Sequence, residues 1–166
     1  MALVPKDVRA GRDFQIVKGV AEMLRTSITM NDPDNDSFDQ GEVVGINIAG
    51  EAVKAAGSVG TPDLNARISW TKYVPADTNN GQTDALATKA LDVLSGPYQF
   101  KVTSAFFVEQ GSAARGDILY GFVSGGVGKL YNEPAATASL TELAPGVAVA
   151  RVISWDGTTL WAESLQ

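Results

Sequence analysis

The chain has 166 residues, a mass of 17.4 kDa and a formal net charge of −6, which fits one domain or two very small ones. Its 45% hydrophobic content is enough for a core, and 17 Gly and seven Pro favour turns and short elements. The absence of His and Cys excludes Ser-His-Asp and Cys-His nucleophiles, zinc fingers, Cys or His iron–sulfur ligation and disulfides. We therefore expect no enzyme, no cofactor and no metal centre.

The first 14 residues are polar and poorly periodic, which predicts an extended N-terminal arm before a β-rich body at residues 15–166. Residues 1–25 carry a net charge of +2, whereas the rest of the chain carries −8. This asymmetry makes Arg9, Arg12 and Phe14 candidate contacts with a partner, and a disordered terminus explains the same pattern.

The charge and hydropathy patterns also bear on the partners and on the compartment. The folded part lacks the clustered Lys and Arg of a nucleic-acid binder, so we expect no nucleic-acid partner. No apolar stretch approaches the length of a membrane span, and the N-terminus lacks a signal-peptide core. We expect a soluble, unprocessed protein with no membrane partner.

The N-terminal half predicts short strands separated by polar turns. Residues 14–30 mix helical spacing with strand-like alternation, and we favour strand. An acidic loop follows at 31–42. Further strands are predicted at 42–48, 52–54 and 66–74, with polar loops at 57–64 and 75–84.

The C-terminal half continues in the same way. Residues 85–94 fit either a helical turn or two or a strand, and residues 98–108 alternate so regularly that they form the clearest predicted strand. The remaining strands are predicted at 117–123, 129–131, 146–155 and 158–162, with a type I′ turn at Asp156-Gly157. Short strands with at most one short helix predict an all-β fold, either a small β-barrel or a β-sandwich with short hairpins.

Two parts of the body resemble each other. Gly41-Glu42-Val43-Val44, Gly50 and Lys54 match Gly116-Asp117-Ile118-Leu119, Gly125 and Lys129 at a constant offset. Residues 66–70 echo residues 150–155. The pattern predicts two similar hairpin units, 41–74 and 116–162, or reflects the few residue types that hairpins reuse.

Two motifs suggest ligand sites and fail on inspection. Counted from Asp32, an EF-hand loop needs Gly at Ser37 and Glu at Val43, so residues 32–39 fit a solvated turn better than a weak calcium site. The run 124–130 lacks the first Gly of a phosphate-binding loop and has Leu130 where Ser or Thr is required. We interpret that run as a hairpin turn.

The aromatic residues fall on alternating strands, where core packing is their commonest use and a carbohydrate-binding platform is the alternative. Phe106 and Phe107 are adjacent, so on one strand they point to opposite faces. One of them then needs a second layer or an oligomer interface to cover it. The residues that a carbohydrate platform would use are Trp70, Tyr73, Tyr98, Phe100, Phe106, Phe107, Trp155 and Trp161.

Three stretches of the body carry a resemblance to a known family, and together they cover much of residues 41–162. The stretches are 41–44 with 50–56, 69–74 with 94–102, and 116–130 with 147–161. The first is an acid-opened strand followed by a turn and Val53-Lys54-Ala55. These stretches resemble the small decoration (cement) proteins of tailed-bacteriophage capsids.

The resemblance implies a β-rich structural virion protein that catalyses no reaction. Such a protein is made in the host cytoplasm and is often a homotrimer. It binds the major capsid protein on the outer capsid surface and stabilises the expanded shell. The alternatives are another phage structural module (tail tube, head completion or fibre base), a soluble carbohydrate-binding β-sandwich, and, last, a carboxylate-dependent hydrolase.

Overall fold

The computed structural model describes residues 13–19, 24–54, 63–73, 75, 89–132, 141–144 and 146–166. In these parts 54% of the chain is strand and none of it is helix. The thirteen strands are β1 (Phe14–Lys18), β2 (Arg25–Thr29), β3 (Val43–Asn47), β4 (Ala52–Val53), β5 (Asp63–Ser69), β6 (Ala90–Leu94), β7 (Gln99–Thr103), β8 (Phe107–Val108), β9 (Ile118–Ser124), β10 (Val127–Tyr131), β11 (Thr141–Leu143), β12 (Ala150–Trp155) and β13 (Thr159–Ser164).

The strands form two sheets that are not closed into a barrel, so the all-β prediction is confirmed and the architecture is sandwich-like. The eight-stranded sheet has the order β1-β7-β13-β12-β9-β10-β8, with β11 paired to β9. The five-stranded sheet has the order β2-β6-β5-β3-β4. Every pair in both sheets is antiparallel except β10 with β8.

The same strand order occurs in both sheets. The order β2-β6-β5-β3-β4 of the smaller sheet recurs as β7-β13-β12-β9-β10 within the larger sheet. In each of these two sets, the first strand in the sequence pairs with the last, the last with the one before it, and that strand with the hairpin β3-β4 or β9-β10. In both, the chain after the first strand reaches the opposite side through a parallel pairing, Met30 with Ala52 and Phe107 with Leu130. The likeness therefore extends well beyond the two hairpins.

The turns that open β3 and β9 match at the level of single atoms. The Glu42 carboxylate accepts the Asp39 backbone N–H at 2.9 Å, and the Asp117 carboxylate accepts that of Ala114 at 2.8 Å. Gly41 and Gly116 both adopt φ of +95°, a conformation that favours glycine. In each turn the carboxylate returns to the residue three positions earlier and fixes the entry into the strand.

The two sheets meet where β3 packs against β9 and β10. Two glycines allow this approach: a Cβ at Gly128 would lie 1.8 Å from the Val43 carbonyl oxygen, and a Cβ at Gly121 would lie 2.7 Å from the Val43 Cγ1. At this point backbone lies against backbone, with no side chain between Val43 and Gly128. This closeness explains why both positions need glycine although neither has a positive φ.

Buried side chains fill the space between the sheets and the far face of the smaller one. The first cluster draws on both sheets and includes Val43, Ile68, Phe100, Leu119 and Leu160. The second cluster lies on the other face of the five-stranded sheet, and its members are Met30, Phe38, Val44, Ala52, Tyr73, Leu91 and Val93. Adjacent Val43 and Val44 enter different clusters, as alternation along a strand requires.

The strand predicted at 98–108 is instead two strands, β7 and β8, separated by a turn at Ser104–Phe106. The Phe106 backbone N–H donates to the Thr103 carbonyl at 3.1 Å and closes this turn. Phe106 and Phe107 are thus not consecutive on one strand, and both are buried, at 6% and 2% exposure. The chain itself covers both phenylalanines, so this pair gives no support for an oligomer interface.

The predicted hairpin at Asp156-Gly157 is present, but its turn is not type I′. That type requires positive φ at both central residues, and only Gly157 has one. The Asp156 carboxylate accepts the backbone N–H groups of Thr158 and Thr159, at 2.8 and 2.7 Å. Gly125 and Gly126, with φ of +59° and +76°, form the two-residue turn with both φ positive.

The remaining assignments are settled by pairing. Within residues 14–30, strands occupy 14–18 and 25–29, and residues 20–23 lie outside the described part. Strand is also the outcome for 90–94, although 85–88 are not described. The predicted arm boundary falls at the first residue of β1, and residues 1–12 are outside the described chain.

The glycine contact predicts a graded loss of stability. Gly128→Ala should lower the free energy of unfolding by about 3 kcal/mol, because its methyl group meets backbone that cannot rotate away. Gly121→Ala should cost about 1–2 kcal/mol, because the atom it meets is a side-chain methyl. Urea unfolding measures both, and equal costs would contradict the backbone contact.

Candidate functional site

A cleft of about 540 Å³ opens at the surface where the two sheets meet. Its apolar wall comes from β1, the β7–β8 turn and β10, through Phe14, Ala105, Phe106 and Val127. Gly41 lies behind this wall, since a Cβ there would meet Phe14 Cβ at 2.4 Å and Phe106 at 3.2 Å. The close approach of the Gly41 backbone therefore shapes the cleft.

The polar side chains that line the cleft carry both signs of charge. They come from four separate stretches: Asp13 before β1, Asp39 and Gln40 before β3, Lys72 after β5, and Lys129 on β10. Lys72 Nζ lies 3.7 Å from Asp39 Oδ1, and both side chains are more than half exposed. This pair adds little stability, so its groups are available to a partner. An apolar wall beside exposed polar groups is a common arrangement at protein contacts.

A buried carboxylate holds the loop that forms one side of the cleft. Glu42 is 1% exposed, and its Oε1 accepts both the Gly128 backbone N–H and Lys54 Nζ at 2.9 Å. Its Oε2 accepts the Asp39 N–H at 2.9 Å. Glu42 therefore connects the cleft loop, β10 of the larger sheet and Lys54 beyond β4.

Burial raises the pKa of Glu42, and its hydrogen bonds with Asp39 and Gly128 and the Lys54 ammonium partly offset that rise. A raised pKa in the folded state means that ionisation of Glu42 opposes folding. Its contribution to stability is therefore greatest when the carboxyl is protonated and declines as pH rises. Lys54 limits that decline, and it also donates to the Ser37 carbonyl and lies 5.0 Å from the Phe38 ring centroid.

Asp13, the first described residue, is anchored beside the cleft. Its backbone carbonyl accepts the Thr103 N–H at 3.0 Å, and its carboxylate accepts the Thr103 hydroxyl at 2.6 Å. The segment before Asp13 therefore starts from a fixed point at the cleft. Through Thr103, Asp13 connects that segment to β7 in the larger sheet.

The contact role of the three predicted residues stays a prediction. Arg9 and Arg12 lie outside the described residues. Phe14 belongs to β1 and not to an arm: it lines the cleft, is 3% exposed and packs against Phe100 and Trp70, with ring centroids 5.9 and 6.4 Å away. Its side chain belongs to the core, because β1 pairs with β7 and turns it inward.

The acidic loop at 32–39 is organised as a turn by the chain's own groups. The Asn35 amide donates to the Asp32 carboxylate at 2.9 Å, and Lys89 Nζ lies 3.1 Å from Asp34 Oδ1. The Tyr73 hydroxyl donates to the Pro33 carbonyl. No group of three or more carboxylates positioned to hold a metal ion occurs in the described part of the chain. The geometry agrees with the interpretation of these residues as a turn.

The glycine run and most aromatic residues have structural roles. The run at 124–130 is the β9–β10 hairpin, and a strand follows it where a phosphate-binding loop needs a helix. Of the eight candidate platform residues, the Tyr and Phe residues are all buried. Trp155 packs edge-on against Phe107 at 4.9 Å, and Lys101 Nζ lies 5.3 Å from the ring centroid of half-buried Trp161.

Sequence patterns missed the residues of the cleft because pairing between distant strands assembles them. One signal was available: Lys129 occupies the repeat position of Lys54, which pairs with Glu42. The counterpart of Glu42 in the second unit is Asp117, and Lys129 instead lines the cleft. Lys129 therefore has the same place in the repeat as Lys54 but a different location, the cleft, where its side chain is available for another role.

Comparison with known proteins adds no relative: no family model, no curated protein and no solved structure matches this chain. No helix in the described residues is long and apolar enough to cross a membrane.

Removal of Lys54 predicts a pH-dependent loss of stability. Lys54→Met should lower the free energy of unfolding by about 3 kcal/mol at neutral pH, because it leaves the Glu42 charge buried without its cation. The loss should shrink as pH falls, because burial raises the pKa of Glu42 and its carboxyl loses its charge sooner than that of an exposed glutamate.

Lys72→Met is the matched control for this test, since its pair with Asp39 is exposed, and we expect a change below about 0.5 kcal/mol. Urea unfolding at a series of pH values measures both variants. A Lys54→Met penalty that grows toward acid pH would contradict the assignment.

Proposed function

We propose that this chain is a structural virion protein that binds the outer surface of a tailed-phage capsid, stabilises the shell and catalyses no reaction. Its partner in this proposal is the major capsid protein. The chain is made in the host cytoplasm and ends on the virion surface. The resemblance of residues 41–162 to capsid decoration proteins motivates the proposal, and three structural features support it.

The first feature is the construction of the body. Close backbone packing at Gly128 and the hydrogen bond from the Gly128 N–H to the buried Glu42 carboxylate fasten two similar sheets to each other. A protein that holds neighbouring capsomers in place needs a body that transmits force without deforming. Close-packed protein interiors have low compressibility, and a body packed in this way resists deformation.

The second feature is the mixed character of the cleft. Its apolar wall is formed by side chains such as Phe106 and Val127, and both Lys129 and Asp39 line it as well. Protein contacts commonly combine an apolar centre with a polar rim, and this cleft has both at the junction of the sheets.

The third feature, and the observation that carries the proposal, is the point at which the arm joins the body. The arm joins the body at Asp13, which lines the cleft and is held by two hydrogen bonds to Thr103. An arm that becomes ordered on a neighbour and a cleft that contacts the same neighbour then form one continuous surface. The arm supplies reach and the basic groups of Arg9 and Arg12, and the cleft supplies buried area.

Binding to expanded capsids tests the proposal directly. The capsids are assembled from the major capsid protein of the same genome, and bound chain is quantified after sedimentation. We expect saturable binding with many copies per capsid. The Arg9→Gln/Arg12→Gln double variant should bind about tenfold more weakly, because both substitutions remove charge from the arm.

The matched control is Arg115→Gln/Arg151→Gln, which removes the same charge from two residues exposed on the body. It should bind like the natural chain. No sedimentation with capsids would contradict the proposal. A few copies at the portal or tail would instead identify the tail-tube, head-completion or fibre-base alternative.

A further inference from the structure

β2 and β4 are the two edge strands of the five-stranded sheet. β2 pairs with β6 through five residues, and no strand in the described part of the chain pairs along its other side. Four of its five side chains are exposed, and Ile28 is half-buried against the core of the sheet. Another strand comes near only beyond its end, where Met30 bridges Ala52.

The hydrogen bonds at the two ends of β2 show which backbone groups face outward. The Leu24 carbonyl accepts the Ser95 N–H at 2.8 Å, and Met30 donates its N–H to the Lys89 carbonyl at 3.2 Å. The N–H and C=O of one residue point to the same side, and sides alternate along an antiparallel strand. Three residues therefore turn these groups away from β6, namely Arg25, Ser27 and Thr29.

The larger sheet shows how this kind of edge is covered. β7 is the counterpart of β2 in the shared strand order, and β1 lies antiparallel along its outer edge. There the outward N–H of Thr103, at the end of β7, donates to Asp13 at 3.0 Å. The same architecture thus carries an added antiparallel strand in one sheet, and among the described residues it lacks that strand in the other.

The other edge strands are poor templates for pairing. β1 has a register shift between Ile16 and Lys18, β4 and β8 have two residues each, and β11 has three. Short strands and bulges are the usual protection of a sheet edge. β2 has five residues in unbroken register and contains no proline.

We propose that β2 pairs antiparallel with β2 of a second copy of this chain, across a two-fold axis at Ser27. This contact concerns the chain alone and does not depend on capsid binding. The outward backbone groups of one copy then meet those of the other, since Ser27 faces the partner subunit's Ser27 and Arg25 faces the partner subunit's Thr29. No like charges face each other, and the two five-stranded sheets become continuous.

Charged substitutions of Ser27, the residue at the two-fold axis, test this pairing. Ser27→Lys and Ser27→Glu each place like charges opposite each other, so each should weaken self-association at least about tenfold in sedimentation velocity. An equimolar mixture should restore association, because Lys then faces Glu. Ser112, exposed in the loop before β9, provides the matched controls Ser112→Lys and Ser112→Glu, which should behave like the natural chain.

A covalent trap gives a second, independent result. The chain has no cysteine, and hydrogen-bonded antiparallel partners have Cα atoms about 5.5 Å apart, within the range of about 4.4–6.8 Å for disulfides. Ser27→Cys should therefore form disulfide-linked dimers under mild oxidation much faster than Ile48→Cys, whose side chain is 62% exposed in a turn.

Three outcomes would overturn the proposal. The first is a natural chain that stays monomeric at high micromolar concentration. The second is a dimer or trimer whose mass does not respond to charge at Ser27. The third is equal crosslinking of Ser27→Cys and Ile48→Cys. A trimer whose mass is unchanged by the Ser27 substitutions would mean that the copies contact each other through a surface other than β2.

Discussion

The contact of the β3 backbone with Gly128 is the constraint on which the rest of the structure depends. With no side chain between Val43 and Gly128, the sheets approach closely enough for Glu42 to reach the Gly128 N–H. Glu42 in turn holds Asp39 at the cleft and Lys54 beside the smaller sheet. A wider separation would leave this carboxylate buried without its partners, which is costly.

The two units share one strand order, but equivalent positions in them make different contacts. The units pack against each other through β3 and its counterpart β9. Glu42 is buried and joins the sheets, whereas Asp117 closes only its own turn. β1 covers the edge of β7, whereas the edge of β2 stays open among the described residues. The surfaces proposed for partners lie where the units differ.

Local patterns predicted the class of fold and most strands, because alternation and turn residues act over a few positions. They failed where distant residues decide the outcome. Residues 98–108 alternate like one strand, but β8 turns away because it pairs with β10. The sequence pattern predicts Gly128 as part of a hairpin turn, whereas the need for glycine there comes from its contact with Val43, far away in the sequence. Phe14 was assigned to the arm because only pairing with β7 reveals its burial.

Native-state hydrogen exchange tests most directly whether the two sheets form one body. We expect slow amides of both sheets, such as those of Val44 and Phe100, to exchange through one global opening with equal free energies. Glu42→Gln should lower both free energies together, because the carboxylate bonds to groups from both sheets. Exchange of one sheet at a much lower free energy, with the other unchanged, would contradict a single body.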